Sequence, residues 1–156
     1  MMDITALVHA VQGSKAADAF KADLDAQQWT TLQPYLDRRG LRAGELLIRQ
    51  GDRDRSAYLL EQGNLQVFAS GAPPGRQRIA ILRPGSLVGE AALFAAVPRS
   101  ANVEAMTPCV VWVLGAARFD ELCARSPSLA LPVMRAAGAL MAMRMHDNLV
   151  RGVPLI

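Results

Sequence analysis

The sequence predicts a mainly β fold, a sandwich or barrel, with helices on both sides of it. Three observations carry this reading. Between positions 38 and 115, short apolar stretches alternate with turn residues at the spacing of about eight to twelve that marks all-β sandwiches and barrels. Across 3–36 and again across 116–151, apolar residues recur at helical spacing instead. The chain has 156 residues, 51% of them hydrophobic and 20% charged, which is rich enough in apolar side chains to build one buried core and excludes disorder.

Taken in order, the N-terminal region carries Ile4, Leu7, Val8 and Val11, then Ala16, Ala19, Phe20 and Leu24. This predicts two helical pieces broken at Gly13-Ser14. A further short helix is expected over 26–36, with Trp29, Leu32 and Leu36 on one side and Pro34 near its end. Strands are expected at 38–41, 46–48, 57–61, 64–69, 76–82, 100–105 and 109–114. Between them stand Gly44, Gly51, Gly63, the two prolines of the loop 70–75, and Pro84-Gly85, which supply the backbone geometry of tight turns. The run from Gly85 to Phe94 breaks the β rhythm. Its alanines and leucines predict a turn followed by one helical turn, an interruption that makes it the first place to look for a site. A short amphipathic helix is expected over 118–124. A long one follows to about Leu149, capped by Ser126 or Ser128; with Ser128 as the cap, Pro132 falls in its first turn, where a missing N–H costs little. Leu129, Val133, Ala136/Ala137, Leu140 and Met143/Arg144 fit a seam of alternating three and four, and a helix this apolar is expected to pack on the barrel with one side and on a second copy of itself with another.

Composition narrows the function classes. Cys109 and Cys123 are the only cysteines and have no C-x-x-C spacing, which excludes a disulfide scaffold and a zinc cluster and suits a reducing compartment. No apolar run approaches the length of a membrane span, and the opening MMDITALVHAVQ carries an acid where a signal peptide has its positive charge, so a cytoplasmic location is expected. Net charge is +3, from seventeen basic and fourteen acidic residues; fifteen of the basic ones are arginines scattered from Arg38 to Arg151 rather than massed in a nucleic-acid tail. His9 and His146 lie in terminal helices with no nucleophile, metal spacing or acid pair beside them, so enzymatic activity and a cofactor are not expected.

The constellation that carries chemistry is Gly89-Glu90-Ala91-Ala92-Leu93, followed after Val97-Pro98 by Arg99 and Ser100. Gly89 permits a tight turn and close approach of a ligand. The N–H groups of Glu90, Ala91 and Ala92 open a short helix and are expected to be free for an anion. Arg99 offers a planar fork suited to phosphate oxygens. A carboxylate beside a phosphate must be aimed elsewhere, and a ribose hydroxyl is its natural target for Glu90. Phosphate with ribose implies a nucleotide. These residues taken alone favour a plain surface salt bridge between Glu90 and Arg99.

The surrounding motifs extend the reading. Ala43-Gly44-Glu45-Leu46-Leu47-Ile48-Arg49-Gln50-Gly51-Asp52, then Ala57-Tyr58-Leu59-Leu60-Glu61-Gln62-Gly63, then Gly89-Glu90-Ala91-Ala92-Leu93 with Pro98-Arg99-Ser100-Ala101, resemble the cyclic nucleotide-binding domain family, in that order and over more than half the chain. The resemblance implies a double-stranded β-helix (jelly-roll) barrel at 37–126, an N-terminal helical segment at 1–36 and a lid or dimerisation helix at 127–156. It implies cyclic AMP or cyclic GMP as ligand, with Arg99 on the phosphate, Glu90 on the ribose 2′-hydroxyl, and backbone contacts from Gly89 and Ala91. Ser100 would lie beside the phosphate or the base. Val67 and Ile79 would line the base, and the last helix, with Arg144, would close over it. Ala91 stands where the family often has leucine, and the lid has no threonine-serine pair, so the choice of base stays open. The implied protein is a homodimeric sensor relaying occupancy to another protein. The alternatives are a degenerate scaffold that binds no nucleotide and serves as an interaction unit, and a DNA-associated regulator. The latter is disfavoured because no helix-turn-helix follows the dimer helix, where about fifty further residues would be needed.

Overall fold

The computed structural model describes residues 3–71 and 78–152, with Arg78 by its backbone alone. Helix α1 (Thr5–Gly13) and helix α2 (Ala26–Leu32) precede the strands, α2 running into a 3-10 turn at Gln33–Tyr35. Asp25 and Gln28 form a reciprocal capping box that fixes the start of α2. Eight strands follow: β1 (Asp37–Leu41), β2 (Leu46–Ile48), β3 (Ser56–Gln62), β4 (Leu65–Phe68), β5 (Arg78–Leu82), β6 (Leu87–Val88), β7 (Asn102–Ala105) and β8 (Cys109–Gly115). They build two four-stranded antiparallel sheets, β1-β8-β3-β6 and β2-β7-β4-β5. Helices α3 (Ala116–Arg125) and α4 (Pro127–Arg151) complete the molecule. The mainly β jelly roll with flanking helices is the architecture expected.

The two faces of the first sheet explain its sequence. Tyr58, Leu60 and Val111 point into the barrel, against Leu65, Val67, Leu82 and Val103 of the second sheet. Ala57, Leu59, Trp112 and Leu114 point outward, under Leu7, Trp29, Phe119, Leu122 and Leu140 of the helices. Covered on both sides, β3 and β8 read as near-continuous apolar runs rather than as alternating strands. Trp112 is fully buried and donates its indole N–H to Glu61 Oε1 at 2.9 Å, which meets its one polar need.

Three expectations are corrected. The second N-terminal helical piece is not a helix: residues 14–25 run as turn and extended chain, and Ala19 forms an isolated bridge with Ser86. The Phe20 N–H donates to Gly85 O at 2.9 Å, so the strap's hydrogen bonding goes to the barrel. Ala19, Phe20 and Leu24 are buried by tertiary contact, and their spacing only imitates a helical stripe. Pro132 does not lie in the first turn, because α4 begins at Pro127, with the Ser126 carbonyl accepting from Leu129 and Ala130. The carbonyl that loses its donor belongs to exposed Ser128, where water can replace it. The seam Leu129, Val133, Ala137, Leu140 and Arg144 is buried within its own chain, packed into the helix-side core. The apolar residues α4 leaves exposed are others: Leu131, Met134, Met143, Met145, Leu149 and Val150. The expected strand at 76–82 begins at Arg78, and positions 76–77 and the two prolines of its preceding loop lie outside the described residues. Among those described, no helix is long and apolar enough to cross a membrane.

Candidate functional site

The site grows from the interruption between β6 and β7. The two-residue strand β6 pairs with β3 through Tyr58 and Leu59 and delivers Gly89 to the start of β3. Gly89 adopts φ +77°, and a 3-10 turn at Glu90–Leu93 follows. A Cβ at Gly89 would stand 2.7 Å from Arg99 Nη1 and 3.1 Å from Ser56 O, so this glycine is required both by its backbone and by what approaches it. Leu93 anchors the turn in the helix-side core, and Arg55 Nε donates to Ala92 O at 2.7 Å. The segment then returns along the β2–β3 loop, with Arg99 N–H to Asp52 O at 2.7 Å and Gly51 N–H to Arg99 O at 2.8 Å. Arg99 is thereby held at both its backbone groups.

The Arg99 side chain is only 8% exposed. Its Nε and Nη2 donate as a fork to Asp54 Oδ1 and Oδ2, at 3.1 and 2.7 Å. Nη1 donates to Gly89 O at 3.1 Å, and Nη2 also donates to Ser56 O. This guanidinium holds the Asp54 carboxyl below its ordinary pKa, chiefly through the hydrogen bond. Arg99 does not pair with Glu90, so the simple salt bridge open at the sequence level is not what forms.

Glu90 pairs across the cavity mouth. Its side chain is 3% exposed, and Oε2 accepts from Arg144 Nη1 of α4 at 2.8 Å. Arg144 Nη2 reaches Asp18 Oδ2 of the N-terminal strap at 3.4 Å. One arginine therefore joins strap, 3-10 turn and α4. Glu90 Oε1 is buried and has no hydrogen-bond partner. A buried carboxylate oxygen without a donor is costly, and it marks the place where a ligand donor belongs.

A cavity of about 230 Å³ lies between these two arginines. Gly89, Glu90, Ala91, Ala92, Arg99, Ser100 and Val67 line it, and Arg144 closes it together with Met141 and Met145. Two expectations change. Ile79 does not line the cavity: β4 pairs Val67 with Ala80 and Phe68 with Arg78, which leaves Ile79 as the extra residue of a bulge and turns it into the barrel core. Leu82 and Val103 supply apolar wall instead. The Ala92 N–H is not free either, since it donates to Gly89 O at 3.2 Å, which leaves Glu90 and Ala91 of the three amides expected. Sequence reasoning missed Asp54 because the run Asp52-Arg53-Asp54-Arg55 reads as solvated charge, and missed Asp18 because its segment reads as helix. A second hollow, about 310 Å³, lies between the strap and α4, but its charged residues Lys21, Asp23 and Arg135 are exposed rather than convergent. Burial pushes the thiols of Cys109 and Cys123 up, which disfavours the nucleophilic thiolate in both. Among the described residues, no group of three or more His, Cys, Asp or Glu could hold a metal ion.

Comparison with known proteins gives the family. The chain is 31% identical over 112 residues to a cAMP-dependent protein kinase regulatory subunit of Blastocladiella emersonii, an alignment covering 72% of this chain and 28% of that protein. The chain spans a fifth to just over a quarter of the length of the curated relatives it matches first. Among solved structures, a cyclic nucleotide-binding domain from Methylobacillus flagellatus KT superposes with TM-score 0.78 at 21% identity, covering 95% of this chain and 81% of that one. The catabolite activator protein of Thermus thermophilus superposes with TM-score 0.70 at 27% identity, covering 83% of this chain and 59% of that one. Residues 38–126 match the sequence profile of the cyclic nucleotide-binding domain, a span that includes the whole segment from Gly89 to Ser100, and this chain belongs to that family.

Proposed function

We propose that this protein is a receptor module for a cyclic mononucleotide and that it relays occupancy to a partner without chemistry of its own. The observation that carries the reading is Glu90 Oε1, a buried acceptor without a donor on the wall of a cavity whose other end holds a buried arginine. A ribose 2′-hydroxyl is the donor Glu90 lacks. The cyclic phosphate then meets Arg99, Ser100 and the amides of Glu90 and Ala91, and the base lies among Val67, Leu82, Val103 and Met145. The cavity is slightly smaller than the roughly 300–1,000 Å³ of typical ligand sites, as suits a lid already drawn over it. The kinship with kinase regulatory subunits supports the same reading. Relay works by population shift: a ligand that binds one arrangement of lid and 3-10 turn better moves the equilibrium by that differential affinity and no more. The output partner is a second protein, and the place of action is the cytoplasm.

Isothermal titration with cyclic AMP tests the reading. Wild type binds, and Arg99→Ala loses about 2–5 kcal/mol of binding free energy, as when one member of a buried charge pair is truncated. Equal affinities would overturn the assignment of Arg99. One observation favours a second reading, a scaffold that binds nothing: Arg99 is already partnered by Asp54, Ser56 and Gly89, and Glu90 by Arg144. Thermal unfolding with and without cyclic AMP or cyclic GMP separates the two, because a bound ligand raises stability by mass action and a scaffold's midpoint stays fixed.

Homodimerisation through α4 belongs to the same proposal, with a changed seam. Leu131, Met134 and Gly138 follow three- and four-residue steps on a face of α4 that the barrel leaves uncovered. Sedimentation of wild type against Met134→Glu is the measurement, and an unchanged mass would remove the dimer.

A further inference from the structure

We propose that Met145 is a modification site, a thioether that hydrogen peroxide converts to the sulfoxide, and that this conversion weakens nucleotide binding. The proposal rests on the cyclic-nucleotide reading and goes beyond it by placing an oxidative control on the same cavity.

Two properties meet at this side chain. Met141 and Met145 stand four residues apart, one above the other on α4, and both line the cavity. Met141 is half-buried, whereas Met145 is 49% exposed. Met106, Met134 and Met143 are also exposed, at 38%, 36% and 41%, but none of them lines the cavity. Among the described residues, Met145 is therefore the methionine that bulk water and the cavity both reach freely. Arg144, the residue before it, is buried and holds Glu90, which fixes this turn of α4 at the cavity.

The cysteines compete poorly for the same oxidant. A thiol reacts with peroxide as its thiolate, and burial pushes Cys109 and Cys123 up, away from that form. A thioether has no proton to lose and needs only access. A sulfur lone pair attacks one peroxide oxygen and the O–O bond breaks. The departing hydroxide takes the proton left on the transferred oxygen and leaves as water. Sulfur is oxidised by two electrons and peroxide is reduced by two. The product carries a polar, accepting oxygen where a soft apolar group stood. It shares a cavity wall with Val67, Leu82 and Val103, the surroundings proposed for the base. The base then loses a sulfur–aromatic contact and gains a polar neighbour to desolvate. In the other direction, a base packed on Met145 covers its lone pairs, so bound nucleotide slows the oxidation.

The test exposes the whole chain to hydrogen peroxide with and without cyclic AMP, or cyclic GMP if wild type binds it tighter. Peptide mass spectrometry maps the sulfoxides, and titration with the same nucleotide reads the affinity. Without nucleotide, Met145 and Met106 should oxidise at similar rates and Met141 more slowly. Saturating nucleotide should slow Met145 at least about fivefold and leave Met106 unchanged, since susceptibility follows access. Oxidised wild type should bind about 2- to 10-fold more weakly, the worth of one sulfur–aromatic contact. Methionine sulfoxide reductases, one for each epimer, should restore the affinity. Met145→Leu has its own starting affinity, which peroxide should leave within about 1.5-fold although its other methionines still oxidise. An unchanged affinity in oxidised wild type, an equal loss in Met145→Leu, or oxidation of Met145 that nucleotide does not slow overturns the proposal and leaves the receptor reading intact. The wild-type arms decide even if the variant fails to fold. Folded, untreated wild type that binds neither cyclic AMP nor cyclic GMP overturns the receptor reading instead, and the proposal falls with it.

Discussion

Two arginines bound the cavity, and they are held in opposite ways. Arg99 is fixed entirely by the barrel: its backbone by the β2–β3 loop, its side chain by Asp54, Ser56 and Gly89, all from neighbouring turns. Arg144 comes from the long helix outside the barrel and meets Glu90 and Asp18, partners 54 and 126 residues away in sequence. The first is set by the barrel alone, without any contact from α4. The second exists only when three separate elements come together. The Arg99 end is therefore scaffold, and the Glu90 end is a junction of three elements.

Substitutions should break this contrast unequally. Glu90→Ala strikes the junction hardest, because Arg144 stays buried with only Asp18 at 3.4 Å beside it. A loss of about 3 kcal/mol in denaturant unfolding without ligand is expected, the low end for breaking a buried pair; a change below about 1 kcal/mol would mean that Arg144 swings out to water. Gly89→Ala strikes the preset end. The left-handed backbone costs about 1–2 kcal/mol, and the new Cβ displaces the guanidinium, so stability and nucleotide affinity should fall together. Affinity falling alone would place the strain elsewhere.

Asp54→Asn separates the ends by pH. The Asp54 pKa is lowered in the folded state, so its contribution is fully present above the ordinary carboxylate pKa and fades as pH falls through the lowered value. Asp54 is 40% exposed, which screens the pair to within about 1 kcal/mol. The variant's stability–pH curve should lie slightly below wild type at neutrality and merge with it in acid. Asp18→Asn should do least, a few tenths of a kcal/mol at a half-exposed contact. Its better readout is amide exchange in the strap, which should quicken at Ala19 and Phe20; unchanged exchange would show that the Ala19–Ser86 bridge alone holds the strap.

The same contrast decides what was legible from sequence. What was legible at the preset end is local, whereas Asp54, 45 residues before Arg99, was not. Gly89, Arg99 and Ser100 lie in one short segment, and the turns at Gly44, Gly51 and Gly63 take the left-handed backbone their positions predict. The barrel strands were legible for the same reason, since a short apolar stretch and the turn residue that ends it are written within a few positions. The junction was not. Arg144 could be named as a lid residue, but its bond to Glu90 depends on how α4 crosses the barrel, and Asp18 sits in a strap whose apolar spacing copies a helix. Ile79 failed on a single inserted residue in a strand pair, which a register drawn from alternation alone does not reveal. The α4 seam failed because a helix covered on one side and apolar on another carries two stripes, and periodicity does not say which one the chain keeps for itself.

The strap comes before the barrel in the chain and α4 comes after it, yet both meet at one buried guanidinium, Arg144, which Asp18 and Glu90 share. A tug on either flank is thus felt at one point, and whatever settles there is felt on both flanks. The domain behaves less like a cup with a cover than like a knot: tightening it from inside draws in two ropes at once.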